Sequence, residues 1–241
     1  MDSSDSRRPS IPLERMDTAE VLTCVEPFVA ARPPEIDLLA RAALRIRKPT
    51  GAAILAEGQP SDGLYIILRG RVNLVRVADG GRDLILSALG PGDVFAEACV
   101  FGGGGMSTSA IAAIHCEVLR VPPEALVDHM RREPETMLRL MRLQHDKLRE
   151  IESVASGLAL CDVEERLRRT LARLAKRQGR RVSPSDGWII APVPTQSELA
   201  RMVGSCRETV SRTLSAMARS GLVTSSGRRM ILNDNLMAQY L

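Results

Sequence analysis

The sequence predicts an α+β protein with an N-terminal antiparallel β-roll, one long helix and a C-terminal winged helix-turn-helix. Three observations support this class. Short apolar runs separated by glycine turns fill residues 45–122, a heptad repeat follows Pro134, and residues 194–232 have the pattern of two helices and a hairpin. Closely spaced strands form antiparallel sheets, and a sustained heptad repeat needs a continuous helix. The expected boundaries are a flexible tail over 1–17, the β-roll over 18–133, the long helix over 134–160 and the winged helix-turn-helix over 161–241.

The composition is typical of a folded protein from a reducing compartment. Of the 241 residues, 44% are hydrophobic, which suffices for two domain cores. Aromatic residues make up only 2%, which argues against a binder of single-stranded nucleic acid. The five cysteines form no CxxC pair, so we expect no disulfide framework. Because no run approaches the ~18 apolar residues of a membrane span and no signal peptide is evident, we expect a cytoplasmic protein without a membrane partner.

The positive charge is concentrated at the C-terminal end of the chain. Residues 162–241 contain 14 Lys and Arg against 7 Asp and Glu, whereas the preceding residues contain 19 against 22. A basic region attached to a slightly acidic body indicates that this region meets a polyanion.

The strand pattern is clearest in residues 64–77, LYIILRGRVNLVRV, where an apolar run passes into alternation. Glycine-containing turn signals follow at 79–81 and 90–93. Several short strands joined by such turns are typical of an antiparallel sandwich or roll.

Apolar residues alternate at spacings of four and three along the predicted long helix, with one polar interruption. The positions are Met137, Met141, Gln144, Leu148, Ile151, Ala155 and Leu158. Such a seam forms either a dimeric coiled coil or the contact of the helix with its own β domain. Charged residues flank the seam, which favours a homodimer.

The segment that follows carries the signals of further helices. Asp162, Glu164 and Glu165 suit the positive N-terminal end of a helix, and leucines at 167, 171 and 174 give that helix an apolar stripe. Thr195 and Glu198 then form the pattern of a capping box.

A helix-turn-helix needs a small residue at the helix contact, a glycine at the turn and an apolar residue that packs the second helix. Ala200, Gly204 and Val210 meet these three requirements. Residues 220–232, SGLVTSSGRRMIL, then predict a β-hairpin wing.

The second helix carries an unusual charged face within GSCRETVSRTL, residues 204–214. Arg207, Glu208, Ser211 and Arg212 share one side of the helix. Arginine donates to guanine and glutamate accepts from cytosine in a major groove, so these residues are candidates for base reading. The alternative is an ordinary solvated face. Candidate phosphate contacts are Thr195, Arg201, Arg219, Arg228 and Arg229.

This combination of β-roll, long helix and winged helix-turn-helix, together with the motif VGSCRETVSR, resembles the CRP/FNR family of bacterial transcription regulators. GDVFAEACVF (92–101), CEVLRVP (116–122) and CDVEERLRRTLARLA (161–175) extend the resemblance. The family implies a homodimer on palindromic double-stranded DNA, which recruits RNA polymerase as an activator or blocks it. Arg207 before Glu208 resembles regulators that favour TGTGA half-sites, whereas Ser211 before Arg212 resembles those that favour TTGAT; we favour TGTGA.

The resemblance also implies an effector pocket in the β-roll. Glu97 matches the position that holds a ribose and Ser107 a position that holds a phosphate, but Met106 stands where cyclic-AMP binders have arginine. Losing that arginine removes a charge-assisted pair, so we expect that cyclic AMP is not a tight ligand and that the effector is another nucleotide or absent. The candidate pocket residues are Glu97, Ala98, Met106, Ser107, Thr108 and Glu152.

Other sensor chemistry has less support. Only Cys24 lies where an iron–sulfur cluster would need several cysteines, and His115 and Cys116 would point to opposite faces of a strand instead of sharing a haem. His129 and His145 are expected at the surface, with no metal site. Cys206, at the start of the second helix, is a candidate for oxidation that weakens DNA binding.

The sequence contains no nucleophile elbow, P-loop, HExxH or paired-carboxylate arrangement, so an enzyme is not expected. The alternative to a DNA-binding regulator is a cyclic-nucleotide-binding-like regulatory module that acts through protein partners. The basic wing and the Arg–Glu–Arg face favour the DNA-binding regulator.

Overall fold

Three four-stranded antiparallel sheets and a C-terminal helical region confirm the α+β class in a computed structural model that describes residues 11–100, 105–183 and 187–240. The helices are α1 Thr18–Cys24, α2 Pro33–Ala42, α3 Pro123–Arg132, α4 Pro134–Leu160, α5 Val163–Gln178, α6 Gln196–Val203, α7 Arg207–Arg219 and α8 Asp234–Ala238. The strands are β1 Leu44–Lys48, β2 Ala53–Leu55, β3 Leu64–Arg69, β4 Val72–Val77, β5 Asp83–Leu89, β6 Val94–Phe95, β7 Ser109–Ala112, β8 Cys116–Val121, β9 Arg180–Ser183, β10 Gly187–Ile190, β11 Val223–Ser226 and β12 Arg229–Leu232.

The chain divides into two compact units. The first comprises residues up to Arg76 together with Ala88–Arg149, and the second comprises Val77–Ser87 together with Glu150 onwards. The tip of the β4–β5 hairpin and the C-terminal part of α4 therefore belong to the same unit as the helix-turn-helix.

The β-roll has sheet orders β1-β8-β3-β6 and β2-β7-β4-β5, and its strands belong to the first unit apart from Val77 and residues 83–87. Strand β3 explains why its sequence is apolar without interruption. Ile66 and Leu68 pack in a core with α1, α2 and α3, whereas Tyr65 and Ile67 pack in a second core with residues of the other sheet. Successive side chains of a strand point to opposite faces, so both faces of β3 are buried.

Helix α4 has two apolar faces. In the first unit, Thr136 and Leu140 are buried and Leu143 packs against the core. The predicted heptad lies on the other side: apart from the half-buried Gln144, all of its positions are exposed. A 27-residue helix of this kind is about 40 Å long, enough for several heptads of contact with a second helix.

The N-terminal segment is packed where the structure describes it. Residues 1–10 of the predicted tail lie outside the described residues, but Leu13 is buried in the core of the first unit. Asp17 and Glu20 form a capping box at the start of α1. Within the described parts of the chain, no helix combines the length and apolar character that a membrane crossing requires.

The expectation of a surface position for His129 was wrong. Its side chain is 1% exposed, lies edge-to-face against Phe28 at 5.6 Å between ring centroids, and places Nε2 3.1 Å from Thr136 Oγ1. Burial lowers the pKa of His129 below its ordinary value. The position falls on the buried face of the amphipathic helix α3, beside Leu126 and Met130. His145 is exposed, as expected.

In the second unit, α5 begins where the acidic residues predicted. The Asp162 side chain accepts from the Glu165 amide at 2.8 Å, and Leu167, Leu171 and Leu174 are buried. A four-stranded sheet in the order β11-β12-β10-β9 completes the unit.

Candidate nucleic-acid interface

Helices α6 and α7 form the predicted helix-turn-helix. The Glu198 amide donates to Thr195 Oγ1 at 3.2 Å, while Glu198 Oε2 accepts from the Thr195 amide at 2.8 Å, which confirms the capping box. Gly204 ends α6 with a φ of 61°, the left-handed conformation that glycine adopts without a steric cost. Ala200 is buried at the helix contact, as the sequence predicted.

The back of α7 anchors it to the domain. Val210, Leu214 and Met217 are buried at spacings of four and three, and the described wing strands β11 and β12 follow. The opposite side of α7 is thereby left facing away from the core.

That opposite side carries the predicted base-reading residues. Arg207, Glu208 and Arg212 are exposed, and Ser211 is partly exposed. Arg207 and Glu208 lie in the first turn, and Arg212 follows one turn later. The structure therefore brings all four side chains to one face of the N-terminal half of α7.

Glu208 is held in its ionised form on this face. Its pKa lies below the ordinary value because its own backbone amide and the Cys206 side chain hydrogen-bond the carboxylate. Arg207 and Arg212 add electrostatic attraction. An ionised carboxylate near two arginines can accept a hydrogen bond from an exposed base amino group.

Cys206 occupies the N-cap of α7 but does not cap the helix. Its backbone is extended and its side chain makes no capping hydrogen bond; instead Sγ lies 3.1 Å from Thr209 Oγ1. Arg212 Nη2 also donates weakly to this hydroxyl at 3.4 Å. Cys206 is exposed, whereas Cys24 and Cys161 are partly buried and Cys116 is buried.

The candidate phosphate contacts fall into two groups. Arg219, in the last turn of α7, and Arg228 and Arg229, at the wing turn, are exposed. The wing turns at Gly227, whose φ is 57°, so the two wing arginines stand at the tip of the hairpin.

Thr195 and Arg201 already have internal partners. The Thr195 hydroxyl donates to Glu198 Oε2 at 3.1 Å, and Arg201 Nη1 donates to Asp83 Oδ2 at 2.6 Å. Asp83 lies on β5, within the part of the hairpin that belongs to the second unit.

One candidate effector residue of the first unit, Glu97, forms a different ion pair. Lys147 Nζ on α4 donates to Glu97 Oε1 at 2.8 Å and to the Val94 carbonyl at 2.9 Å. The second carboxylate oxygen, Glu97 Oε2, is buried and has no hydrogen-bond partner among the described residues.

The remaining effector candidates do not converge as a set. Met106 and Thr108 are buried, Ser107 and Ala98 are exposed, and Glu152 is exposed on the part of α4 in the second unit. Met106 packs in the apolar core, so its side chain offers no charge to an anion. Of the glycine-rich loop, residues 102–104 lie outside the described residues.

Sequence reasoning missed Lys147 as the ion-pair partner of Glu97. Its signal was available, because Lys147 continues the inward spacing of Thr136, Leu140 and Leu143 along α4. It missed Asp83 as well, and no local pattern marks that residue.

The geometry at His115 and Cys116 agrees with the argument against haem. His115 is exposed and Cys116 is buried, with its thiol directed at the carbonyl oxygens of Arg71 and Ile114. Burial raises the pKa of the Cys116 thiol, which disfavours the thiolate form that ligates a metal. Among the residues described, no group of three His, Cys, Asp or Glu side chains is placed to hold a metal ion.

Comparison with known proteins identifies both halves of the chain. Residues 45–133 match a cyclic nucleotide-binding domain, and residues 165–237 match a Crp-like helix-turn-helix domain. The CRP-like cAMP-activated global transcriptional regulator of Mycobacterium tuberculosis is 30% identical over 216 residues, which cover 90% of this chain and 96% of the relative.

Solved structures share the same architecture. FixK2 from Bradyrhizobium japonicum superimposes with a TM-score of 0.73 at 23% identity, over 82% of this chain and 96% of FixK2. The c-di-GMP responsive global regulator CLP from Xanthomonas campestris gives a TM-score of 0.68 at 25% identity, over 84% of this chain and 99% of CLP.

Proposed function

The chain belongs to the CRP/FNR family of transcription regulators, with a helix-turn-helix DNA-binding domain, and on that premise we propose that it binds palindromic double-stranded DNA as a homodimer. Each copy places α7 in a major groove, and the two grooves lie one helical turn apart. The bound dimer acts on RNA polymerase at the adjoining promoter.

The exposed Arg207, Glu208 and Arg212 on α7 carry this proposal. Glu208 and Arg212 read a GA step, the glutamate through a cytosine amino group and the arginine through guanine O6 and N7. Arg207 donates hydrogen bonds to a further guanine, which favours a TGTGA-like half-site over TTGAT. Ser211, partly exposed between them, contributes a hydroxyl to the same base edges.

The exposed heptad of α4 supports pairing of two copies. Met141, Leu148 and Ile151 are 58%, 54% and 49% exposed, although each is a large apolar side chain. A row of such residues at heptad spacing is buried when a second α4 packs against it. Gln144 interrupts the row and sets its register.

Phosphate contacts position the domain without specifying the sequence. Arg219, Arg228 and Arg229 are exposed and supply these contacts directly. Thr195 reaches a phosphate only by giving up its bond to Glu198, so we expect its contribution to be smaller than that of the arginines.

A ligand in the first unit modulates the protein, and cyclic AMP is not its tight ligand. The M. tuberculosis relative is described as cAMP-activated and CLP as c-di-GMP responsive, so effectors differ among similar proteins. Here Glu97 Oε2 is a buried acceptor for a ligand hydroxyl, but the apolar Met106 cannot neutralise a cyclic phosphate.

Selection of bound sequences from random DNA by the full chain tests the proposal, with and without cyclic AMP. We expect palindromic half-sites containing GA, with centres about 10 base pairs apart, and no change of site or affinity on adding cyclic AMP. Equal affinity for selected and random duplexes would contradict it and favour a regulatory module that acts through protein partners.

Two arginine variants separate base reading from charge. Arg212→Ala should weaken specific binding about 5- to 150-fold per half-site while leaving binding to random duplex nearly unchanged, because each bidentate base contact discriminates by about 1–3 kcal/mol. Arg219→Ala, on the same helix, should weaken binding to all duplexes and reduce the salt slope by about 0.9 per copy. Identical behaviour of the two variants would refute the base-reading role of Arg212.

A further inference from the structure

An acidic residue of the β4–β5 hairpin holds one of the candidate phosphate contacts. Arg201 Nη1 on α6 donates to Asp83 Oδ2 at 2.6 Å, with side chains 38% and 28% exposed. Arg201 occupies the same face of α6 as the exposed Ser197, one turn earlier. The Arg201 guanidinium, which the sequence predicted as a phosphate contact, is therefore paired with the Asp83 carboxylate of the protein itself.

Neighbouring contacts fix this part of the hairpin in place. Ser87, on the same face of β5 as Asp83, accepts from Arg177 Nη1 at 2.9 Å, and Arg177 also pairs with Glu150. Leu84 lies close to the helix-turn-helix turn, since its Cδ1 is 3.9 Å from the position that a Cβ on Gly204 would take. Leu84 and Ser87 therefore hold the strand that carries Asp83 in position within the second unit.

We propose that Asp83 is an internal competitor of the DNA backbone for Arg201. The inference rests on the proposed function, because it requires that α6 approaches a phosphate. In the absence of DNA, Asp83 neutralises Arg201; on binding, a phosphate takes the guanidinium and the Asp83 contact opens.

Electrostatics makes the two partners exclusive. A phosphate at Arg201 would also lie near the Asp83 carboxylate, and two anions sharing one cation repel each other in a partly desolvated site. Association with DNA must therefore release Asp83, which links the position of residues 77–87 to the occupancy of the operator.

The test compares DNA affinity of the full chain with that of Asp83→Asn, a variant that preserves side-chain shape and removes the charge. We expect affinity for both selected and random duplexes to rise about two- to five-fold per copy at low salt, the range of an exposed ion pair. The slope of log affinity against log salt should change by less than about 0.9 per copy, because wild type forms the same Arg201–phosphate contact once the Asp83 contact opens.

Two controls distinguish competition from general charge removal. Asp79→Asn removes an exposed acid from the same hairpin and should change affinity by less than Asp83→Asn. Arg201→Ala should weaken binding, and adding Asp83→Asn to it should restore nothing.

Several outcomes would overturn the inference while leaving the proposed function intact. They are an Asp83→Asn affinity equal to or weaker than wild type, an equal gain from Asp79→Asn, or a full gain from Asp83→Asn in the Arg201→Ala background. Failure of the proposed function looks different, because the wild-type protein would then bind selected and random duplexes equally.

Discussion

Replacing Cys206 by serine should strengthen the start of α7. Cys206 has the extended N-cap backbone, with φ −89° and ψ 157°, but its thiol makes no capping bond. The amides of the first turn have no acceptor within the helix, and a serine Oγ at this position can accept from the Thr209 amide. A good N-cap contributes about 0.5–1 kcal/mol over a residue that does not cap, so the first turn should open about two- to five-fold less often.

Hydrogen exchange of the α7 amides in the full chain measures this effect locally. Cys206→Ser should slow exchange at Thr209 by that factor, whereas Cys206→Ala, which lacks an acceptor, should not. Exchange in α1, far along the chain, provides an internal reference. Equal exchange in the serine and alanine variants would refute the reasoning about the missing cap.

The same variants test oxidation of Cys206. The thiol is exposed beside the face proposed to enter DNA, so oxidation to a sulfinate would place a negative charge near phosphates. Peroxide should therefore weaken DNA binding by wild type and leave Cys206→Ser unaffected. Equal losses in both proteins would remove Cys206 from any redox role.

Two further predictions concern the dimer and the core. Leu148→Asp should shift sedimentation from dimer to monomer because it buries a charge in the α4 seam. Leu38→Asp, at a residue of α2 that is 49% exposed against 54% for Leu148, should leave the dimer intact. A dimeric Leu148→Asp would contradict pairing through this face. Burial lowers the pKa of His129, which has Glu35, Arg132 and Glu133 nearby, so as pH falls the unfolded chain takes up the histidine proton before the folded chain does. The contribution of neutral His129 to the free energy of unfolding is therefore fully present above about pH 6.5 and is lost as pH falls towards the folded pKa. Urea unfolding at pH 7.5 and 5.5 should show this loss in wild type and a smaller loss in His129→Gln, and identical pH dependence would exclude His129 as its source.

The parts of the fold that the sequence predicted correctly are those determined by residues close together in the chain. The capping box of Thr195 and Glu198 and the turn at Gly204 act within a few residues, so the sequence displays them directly. The uninterrupted apolar run of β3 likewise indicates a strand that is buried on both faces. The exposed side of α7 follows from its period, because Val210, Leu214 and Met217 determine which face is buried.

Contacts between distant residues could not be predicted in the same way. Lys147 and Glu97 are 50 positions apart, and Arg201 and Asp83 are 118 apart, so neither pair forms a local pattern. Burial of His129 depends on Phe28 and Thr136, which reach it from other elements. Pairs of polar side chains that meet only in the tertiary structure therefore cannot be predicted from the periodicity of the sequence.

The electrostatic argument for DNA depends on which arginines remain unpaired, and the total charge does not decide it. Most of the basic side chains of α5 are bound internally: Arg168 to Glu164, Arg169 to Glu165, Arg173 and Arg177 to Glu150, and Arg166 to the carbonyl oxygens of Cys161 and Val203. By contrast, Arg219, Arg228 and Arg229 are exposed and have no carboxylate partner within the described part of the chain. Since a guanidinium that is already paired has fewer donors for a phosphate, we expect the arginines of α5 to stabilise the domain, and we propose that α7 and the wing contact the DNA. Arg201 is intermediate between these groups, because it is paired with Asp83 and is still 38% exposed, and this intermediate position is the basis of the proposed competition between Asp83 and the DNA backbone.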